Sequence, residues 1–203
     1  MTISVFGGDE QSTRPVDLAR WVRLAEEVVG SQEARDDIEV SLLFTDEATI
    51  ADLNQRFLGR PGPTDVLAFP IDEEPTEAGR SPDAGGPGPG WTPPQPGDLP
   101  LLLGDVVICP EVAWRNAVPA QGAGDDEPAV GDHPVAEGAN PAQRAYEDEL
   151  ALLVVHGLLH LEGMDHEDST EAEAMEALER ELLGRFYRAA DAPASEAVPQ
   201  PRS

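Results

Sequence analysis

The sequence predicts an α+β protein with a small mixed central sheet of three to four strands and helices packed on it. Short apolar or alternating runs bounded by Gly, Pro or Asp are typical of strands. Longer segments place apolar residues three and four positions apart, which is typical of helices. The two kinds of segment are interspersed along 203 residues, a length that suits one domain with a single core.

The expected N-terminal elements are a strand at Ile3–Phe6, a helix over 15–30, a strand at Ile38–Phe44 and a helix that ends at Leu58. Gly30 is expected to end the first helix, since glycine adopts the conformation that helix ends require. Thr45 or Asp46 is expected to cap the second helix. That helix carries three apolar residues on one face: Ile50, Leu53 and Phe57.

The C-terminal half predicts two more strands and two more helices. The strands are expected at Val66–Ile71 and Val106–Cys109. A long apolar-rich helix begins near Arg144, and a last helix runs from about Ser169 to Arg188. We expect a single domain over 1–188.

Three segments contain almost no aliphatic residues and are rich in Pro, Gly and acids. They are about 73–98, about 122–141, and the tail 189–203. Because such a composition cannot bury a core, we expect them to be disordered insertions and a disordered tail.

The composition limits the possible partners and the compartment. The chain has 40 acidic and 13 basic residues, all of the latter arginine, for a formal charge of −27. This charge argues against nonspecific binding to nucleic acid, and it is typical of a solubility adaptation. No apolar run approaches the ~20 residues that span a bilayer, so no membrane partner is expected. A lone Cys109 and no secretory signal favour the cytoplasm.

Three of the four histidines fall in one short segment: His156, His160 and His166. The first two are four apart and lie on one face of the predicted helix. Gly163 can take the left-handed conformation that ends a helix, so His166 can approach the same point. Three imidazoles around one ion leave a fourth position for water, which is the pattern of a catalytic zinc. Packing alone explains the spacing poorly, because each buried imidazole would need a partner.

We therefore predict one zinc ion per chain at the end of the long C-terminal helix. Nickel is also compatible with three imidazoles, but a tetrahedral site with an open position favours zinc. The spacing is that of the metzincin proteases, H-E-x-x-H-x-x-G-x-x-H, with Gly157 in place of the glutamate that serves as general base. The fourth histidine, His133, lies in an acidic, glycine-rich stretch and receives no role.

The run HGLLHLEGMDHED resembles the signature of the YbeY family of bacterial endoribonucleases. Three further blocks resemble the family in its order: LLFTDEATIADLNQRFLG, PTDVLAFPID and LGDVVICPEVA. The resemblance implies a zinc site made by the three histidines. It also implies hydrolysis of single-stranded RNA in maturation of the 3′ end of small-subunit ribosomal RNA and in ribosome quality control. The implied partners are a ribosomal RNA precursor and the small ribosomal subunit or its basic proteins.

One position departs from the family pattern. Many members have an arginine where this chain has Leu58, and that arginine is thought to engage RNA. Arg56 and Arg60 flank the position, so they are the candidate substrate contacts, although a solvated surface arginine is an equally ordinary interpretation. Asp65 can position a ligand or cap a turn, and Cys109 is expected to be a small core residue.

Two other classes of function remain open from the sequence. A metalloprotease would use the same histidine spacing, but it lacks the glutamate. A non-catalytic ribosome assembly factor would use zinc only as a structural clasp.

Overall fold

In the part of the chain that the structure describes, five α-helices pack with a four-stranded mixed sheet, which confirms the α+β prediction. The computed structural model describes residues 2–32, 37–71, 100–118, 140–164 and 169–188. The strands are β1 (Ile3–Asp9), β2 (Ile38–Phe44), β3 (Val66–Pro70) and β4 (Leu101–Ile108). Their order in the sheet is β1-β2-β4-β3. The first three in that order are parallel, and β3 runs antiparallel to β4.

The helices are α1 (Leu18–Gln32), α2 (Glu47–Leu53), α3 (Pro110–Ala117), α4 (Pro141–Leu161) and α5 (Ser169–Leu182). Two π-helical turns, Asn54–Leu58 and Leu183–Arg188, continue α2 and α5. Asp46 caps α2 by accepting a hydrogen bond from the Thr49 backbone N–H at 2.8 Å, as one of the two predicted caps. Among the described residues, no helix has the length and apolarity needed to cross a membrane.

Burial alternates along β2, because one of its faces packs on the main core and the other is partly covered. The main core lies between the sheet and α1, α4 and α5. A smaller apolar cluster on the opposite face joins α2 and α3 to the sheet. The long helix α4 therefore occupies the centre of the described fold, and its C-terminal end carries His156 and His160, two of the three predicted metal ligands.

Several predicted boundaries were wrong. Gly30 does not end α1, which continues to Gln32. A Cβ on Gly30 would lie 2.9 Å from Ile3 Cδ1, so this glycine allows close packing on β1 rather than a stop. Strand β4 starts at Leu101 and not at Val106, and Gly104 within it has a φ of +137° where the register with β2 shifts. A Cβ on Gly104 would meet the Phe69 carbonyl oxygen.

The second helix also differs from its prediction. It is α-helical only to Leu53, and the π-helical turn that follows rotates the later side chains. Ile50 is fully buried, whereas Phe57 is 61% exposed, so the two do not share a buried face. Helix α3 was not predicted, although Pro110 stands in its first turn, where a missing N–H costs nothing.

The expected disordered segments lie almost wholly outside the described residues. This holds for 73–98, for the tail 189–203 and for most of 122–141. Asn140 and Pro141 are the exceptions: Asn140 caps α4, and Pro141 is its first residue. The long helix thus begins three residues before the predicted Arg144, because Asn-Pro is itself a helix-start signal.

Candidate metal centre

Helix α4 is held against the sheet by the absence of a side chain at Gly157. A Cβ at this position would lie 2.5 Å from Val106 Cγ1 on β4. The helix is buried around most of its circumference, including Val154, Leu158 and Leu161. His156 and His160 are only partly buried, and they lie on its more open side. The packing therefore fixes the helix rotation and with it the direction in which the two imidazoles point.

The structure brings the two helical histidines together. His156 Nε2 and His160 Nε2 are 3.1 Å apart, and the ring centroids are separated by 4.6 Å at an interplanar angle of 83°. Two nitrogen ligands of tetrahedral zinc, each about 2.0–2.1 Å from the ion, stand about 3.3 Å apart. The observed separation of the two Nε2 atoms fits that arrangement, and both atoms are of the type that binds zinc.

Gly163 ends the helix as predicted. Its φ is +85°, and no atom lies within 4 Å of a Cβ placed there. The Met164 N–H donates to the Leu159 carbonyl at 3.0 Å, and the Gly163 N–H donates to the His160 carbonyl at 3.1 Å. These two bonds form a Schellman motif, which reverses the chain direction.

His166, the third predicted ligand, lies outside the described residues, as does His133. The described part of the chain contains no group of three or more side chains that could hold a metal ion. Residues 165–168 lie between Met164 and Ser169, the first residue of α5.

A carboxylate that is not among the predicted site residues contacts the first histidine. Glu179 Oε1 on α5 lies 2.7 Å from His156 Nδ1, the ring nitrogen that faces away from His160. Glu179 is 9% exposed, and it shares the buried face of α5 with Met175 and Leu182. A glutamate on an apolar helical stripe was the available signal, since such a residue needs a buried partner.

Gly157 also bears on the protease alternative. In metzincins the general base stands at this position, directly after the first histidine. Here the position faces β4 and is closed by Val106, so a glutamate side chain has no space there. The departure from the protease motif is therefore a packing requirement of this fold.

Arg56 and Arg60 are placed together on the π-helical turn and the loop after it. Both are exposed, and Arg56 forms an ion pair with Asp52 at 3.1 Å. The buried Asn54 organises the loop by donating to the Gly62 carbonyl at 2.9 Å. Within the described ranges, no hydrogen bond, ion pair or ring contact joins either arginine to a histidine.

Leu58, at the position of the family arginine, is 54% exposed. Beside it, Phe57 packs edge-on against Phe69 with ring centroids 5.1 Å apart. Both rings line a mainly apolar groove of about 670 Å³ on the sheet face opposite α4. A smaller cavity of about 390 Å³ lies between α4 and α5 and opens on His156 and Glu179.

Asp65 and Cys109 both serve the fold, the first through hydrogen bonds and the second through burial. Asp65 Oδ1 accepts the Val66 N–H at 2.9 Å, and Oδ2 accepts from Asn116 Nδ2 at 2.9 Å. Cys109 is fully buried between β4 and α3, and burial raises the pKa of its thiol. A neutral buried thiol is a poor metal ligand, which agrees with the prediction of a small core residue.

Comparison with known proteins shows similarity along most of the chain. The family model described as Endoribonuclease YbeY matches residues 8–130 and 129–187. A protein named Endoribonuclease YbeY from Mycolicibacterium vanbaalenii is 38% identical over 183 residues, which cover 90% of this chain and 79% of the relative. A relative of the same name from Nocardia farcinica is 38% identical over 82% of this chain and 71% of the relative. Another from Beutenbergia cavernae is 37% identical over 87% of this chain and 93% of the relative.

One solved structure, a solution structure from Thermotoga maritima, aligns over 97% of this chain and 100% of that chain. Its sequence identity is 22% and the TM-score is 0.47.

Proposed function

Because the chain belongs to the endoribonuclease YbeY family, we propose that it is a zinc-dependent endoribonuclease that cleaves single-stranded RNA. Its role would be maturation of the 3′ end of small-subunit ribosomal RNA and ribosome quality control, in the cytoplasm. The observation that carries the proposal is the convergence of His156 Nε2 and His160 Nε2 to 3.1 Å at the end of α4.

We assign one zinc ion per chain to His156, His160 and His166. The first two nitrogens have the separation that tetrahedral zinc requires. The Schellman motif at Gly163 supports the third ligand, since it ends the helix and changes the chain direction shortly before His166 in the sequence. The short connection to α5 supports it too, because α5 returns beside α4 and contacts His156.

The reaction class follows from what this arrangement can do. Bound zinc supplies Lewis acidity toward a phosphate oxygen and toward the attacking water. The chain itself holds the two helical imidazoles in fixed positions through the packing of α4 on Val106. The cavity between α4 and α5 opens on His156, so a substrate phosphate can reach this first helical ligand. Position 157 is a glycine, so it offers no glutamate to act as the general base of a protease.

We assign Arg56 and Arg60 as the contacts to substrate phosphates. Residues 1–188 are assigned to one catalytic domain. Asn54 and Gly59, which has a φ of +66°, set the loop that presents both arginines. The partners would be a ribosomal RNA precursor and the small ribosomal subunit or its basic proteins. Such basic proteins would offset the repulsion between RNA and a chain of charge −27.

Metal analysis of the purified protein beside His156→Ala, His160→Ala and His166→Ala tests the site. About one zinc per chain in the parent, lost in each variant, is the expected result. His133→Ala is the matched control and should retain its zinc.

Activity is then measured on a single-stranded RNA and on casein, with and without chelator. We expect chelator-sensitive cleavage of the RNA only. Chelator-sensitive cleavage of casein without RNA cleavage would show a protease instead. A His156→Ala variant that keeps RNA cleavage but melts at a lower temperature would reduce the zinc to a structural clasp.

A further inference from the structure

The buried carboxylate of α5 is difficult to explain by packing alone. Glu179 lies between Met175 and Leu182 on the face that α5 buries, and it is 9% exposed. Burying an ionised carboxylate is costly unless a hydrogen-bonding or charged partner compensates. An apolar residue would fill this position at lower cost, so the contact that Glu179 makes needs a reason.

That contact is made with the one nitrogen of His156 that is not directed at the metal position. Glu179 Oε1 is 2.7 Å from His156 Nδ1, while His156 Nε2 is 3.1 Å from His160 Nε2. A carboxylate accepts, so Nδ1 must carry the hydrogen and donate it. The proton on Nδ1 leaves the lone pair of Nε2 available toward His160. One hydrogen bond thus selects the tautomer and the ring orientation that a metal ligand needs.

We propose that Glu179 is a positioning residue for the metal centre: through its hydrogen bond to Nδ1 it holds His156 as an Nε2 ligand and raises its affinity for the ion. The proposal rests on the assignment of His156 as a ligand in the proposed function. It also gives α5 a role in metal binding, because Glu179 reaches across 23 residues of sequence to the end of α4.

A purely structural role for the contact makes a different prediction. If Glu179 only ties α5 to α4, its loss should lower the melting temperature of the metal-free protein and leave the zinc dissociation constant unchanged. If Glu179 orients a ligand, the dissociation constant itself should rise. Loss of such an outer partner typically weakens metal affinity by about 10–100-fold.

The experiment compares the full chain with Glu179→Ala, Glu179→Gln and the control Glu176→Gln. Glu176 is exposed and lines the same cavity, so its substitution removes a charge at a similar place without touching the hydrogen bond. The zinc dissociation constant is measured by competition with a chromophoric chelator. Melting temperatures without and with zinc, and the visible spectrum with Co²⁺, are recorded for each variant.

We expect Glu179→Ala to bind zinc about 10–100-fold more weakly and to show an altered Co²⁺ spectrum. Glu179→Gln should fall between it and the parent, since the amide oxygen can still accept from Nδ1 but carries no charge. Because it is nearly isosteric, it also serves if the alanine variant does not fold. Glu176→Gln should bind within about twofold of the parent.

Parent-like zinc affinity in both Glu179 variants would overturn this inference alone. A parent that binds no zinc would overturn the proposed metal site together with it.

Discussion

Gly157→Ala is the substitution that most directly tests why α4 lies where it does. Gly157 stands between the two helical ligands and faces β4, and an added Cβ would be 2.5 Å from Val106 Cγ1 and 3.2 Å from Cγ2. Carbon atoms in packed cores prefer separations of about 3.5–4.0 Å. The helix or the valine would therefore have to move by roughly 1 Å.

The magnitude follows from two opposing contributions. Adding a methylene-sized group to a packed core costs about 1–3 kcal/mol in free energy of unfolding. Replacing glycine by alanine inside a helix gains about 1 kcal/mol. The net destabilisation is therefore about 0–2 kcal/mol. Gly184→Ala provides the reference, because nothing lies within 4 Å of a Cβ at that exposed position and only the gain applies.

Chemical and thermal denaturation of the two variants measure the difference directly. Gly157→Ala should be about 1–3 kcal/mol less stable than Gly184→Ala, or roughly 2–12 °C lower in melting temperature for a chain of this size. In a double-mutant cycle, Gly157→Ala should cost less in a Val106→Ala background than in the parent, because the clashing methyl groups are absent there. Equal stability of the two alanine variants, with the same cost of Gly157→Ala in both backgrounds, would show that no such clash exists.

Two further predictions concern α4 and the turn that ends it. Gly163→Ala should lower stability by about 1–2 kcal/mol through backbone strain alone, since φ is +85° and the side chain meets no neighbour; a stability equal to the parent in urea denaturation would contradict this. Burial, and secondly the charge of Asp65, raise the pKa of the Glu149 carboxyl. The folded state then holds its proton more tightly than the unfolded state, so stability is lost as pH rises from its ordinary pKa of about 4.3 to the raised value. Glu149→Gln removes that loss and should raise the melting temperature at pH 7 but not below about pH 4; an equal rise at both pH values would disprove the electrostatic cause.

The parts of the fold that follow local chemistry were predictable from the sequence. Burial alternates along β2, and from Ile38 to Leu42 apolar and polar residues alternate with it. Asp46 caps α2 because its carboxylate accepts a backbone hydrogen bond. The spacing of His156 and His160 required only helix geometry to bring their rings together. Gly163 ends the helix because glycine tolerates a positive φ.

The parts that depend on tertiary contacts were not predictable. Gly30 looked like a helix stop, but its role is close packing against Ile3. Gly157 looked like a missing catalytic glutamate, but the structure shows that it accommodates Val106. Glu179 was one acid among many in α5 until the fold placed it against His156. In each case the deciding neighbour is distant in sequence, so no local pattern contains it.

Four arginines of the described residues are already paired with carboxylates, which leaves a strongly acidic chain fewer cations to hold RNA. These pairs are Arg14–Glu111, Arg20–Glu147, Arg56–Asp52 and Arg115–Glu47. An arginine engaged with a carboxylate must give up that partner before it can contact a phosphate. If the proposed metal site is correct, we expect it to contribute more of the phosphate recognition than it would in a basic nuclease.

The salt dependence of RNA affinity measures how much of the binding comes from arginine contacts to phosphates. If Arg56 and Arg60 are the phosphate contacts, the slope of log affinity against log salt should be about −1.4 for a single strand. Affinity then falls about sevenfold between 50 and 200 mM salt, against about 300-fold or more for six to ten contacts on a single strand. Arg60→Ala should reduce the slope by about 0.7, and Asp52→Asn, which frees Arg56 from its ion pair, should tighten binding. A steep slope that survives the loss of both arginines would place the phosphate contacts elsewhere on the chain.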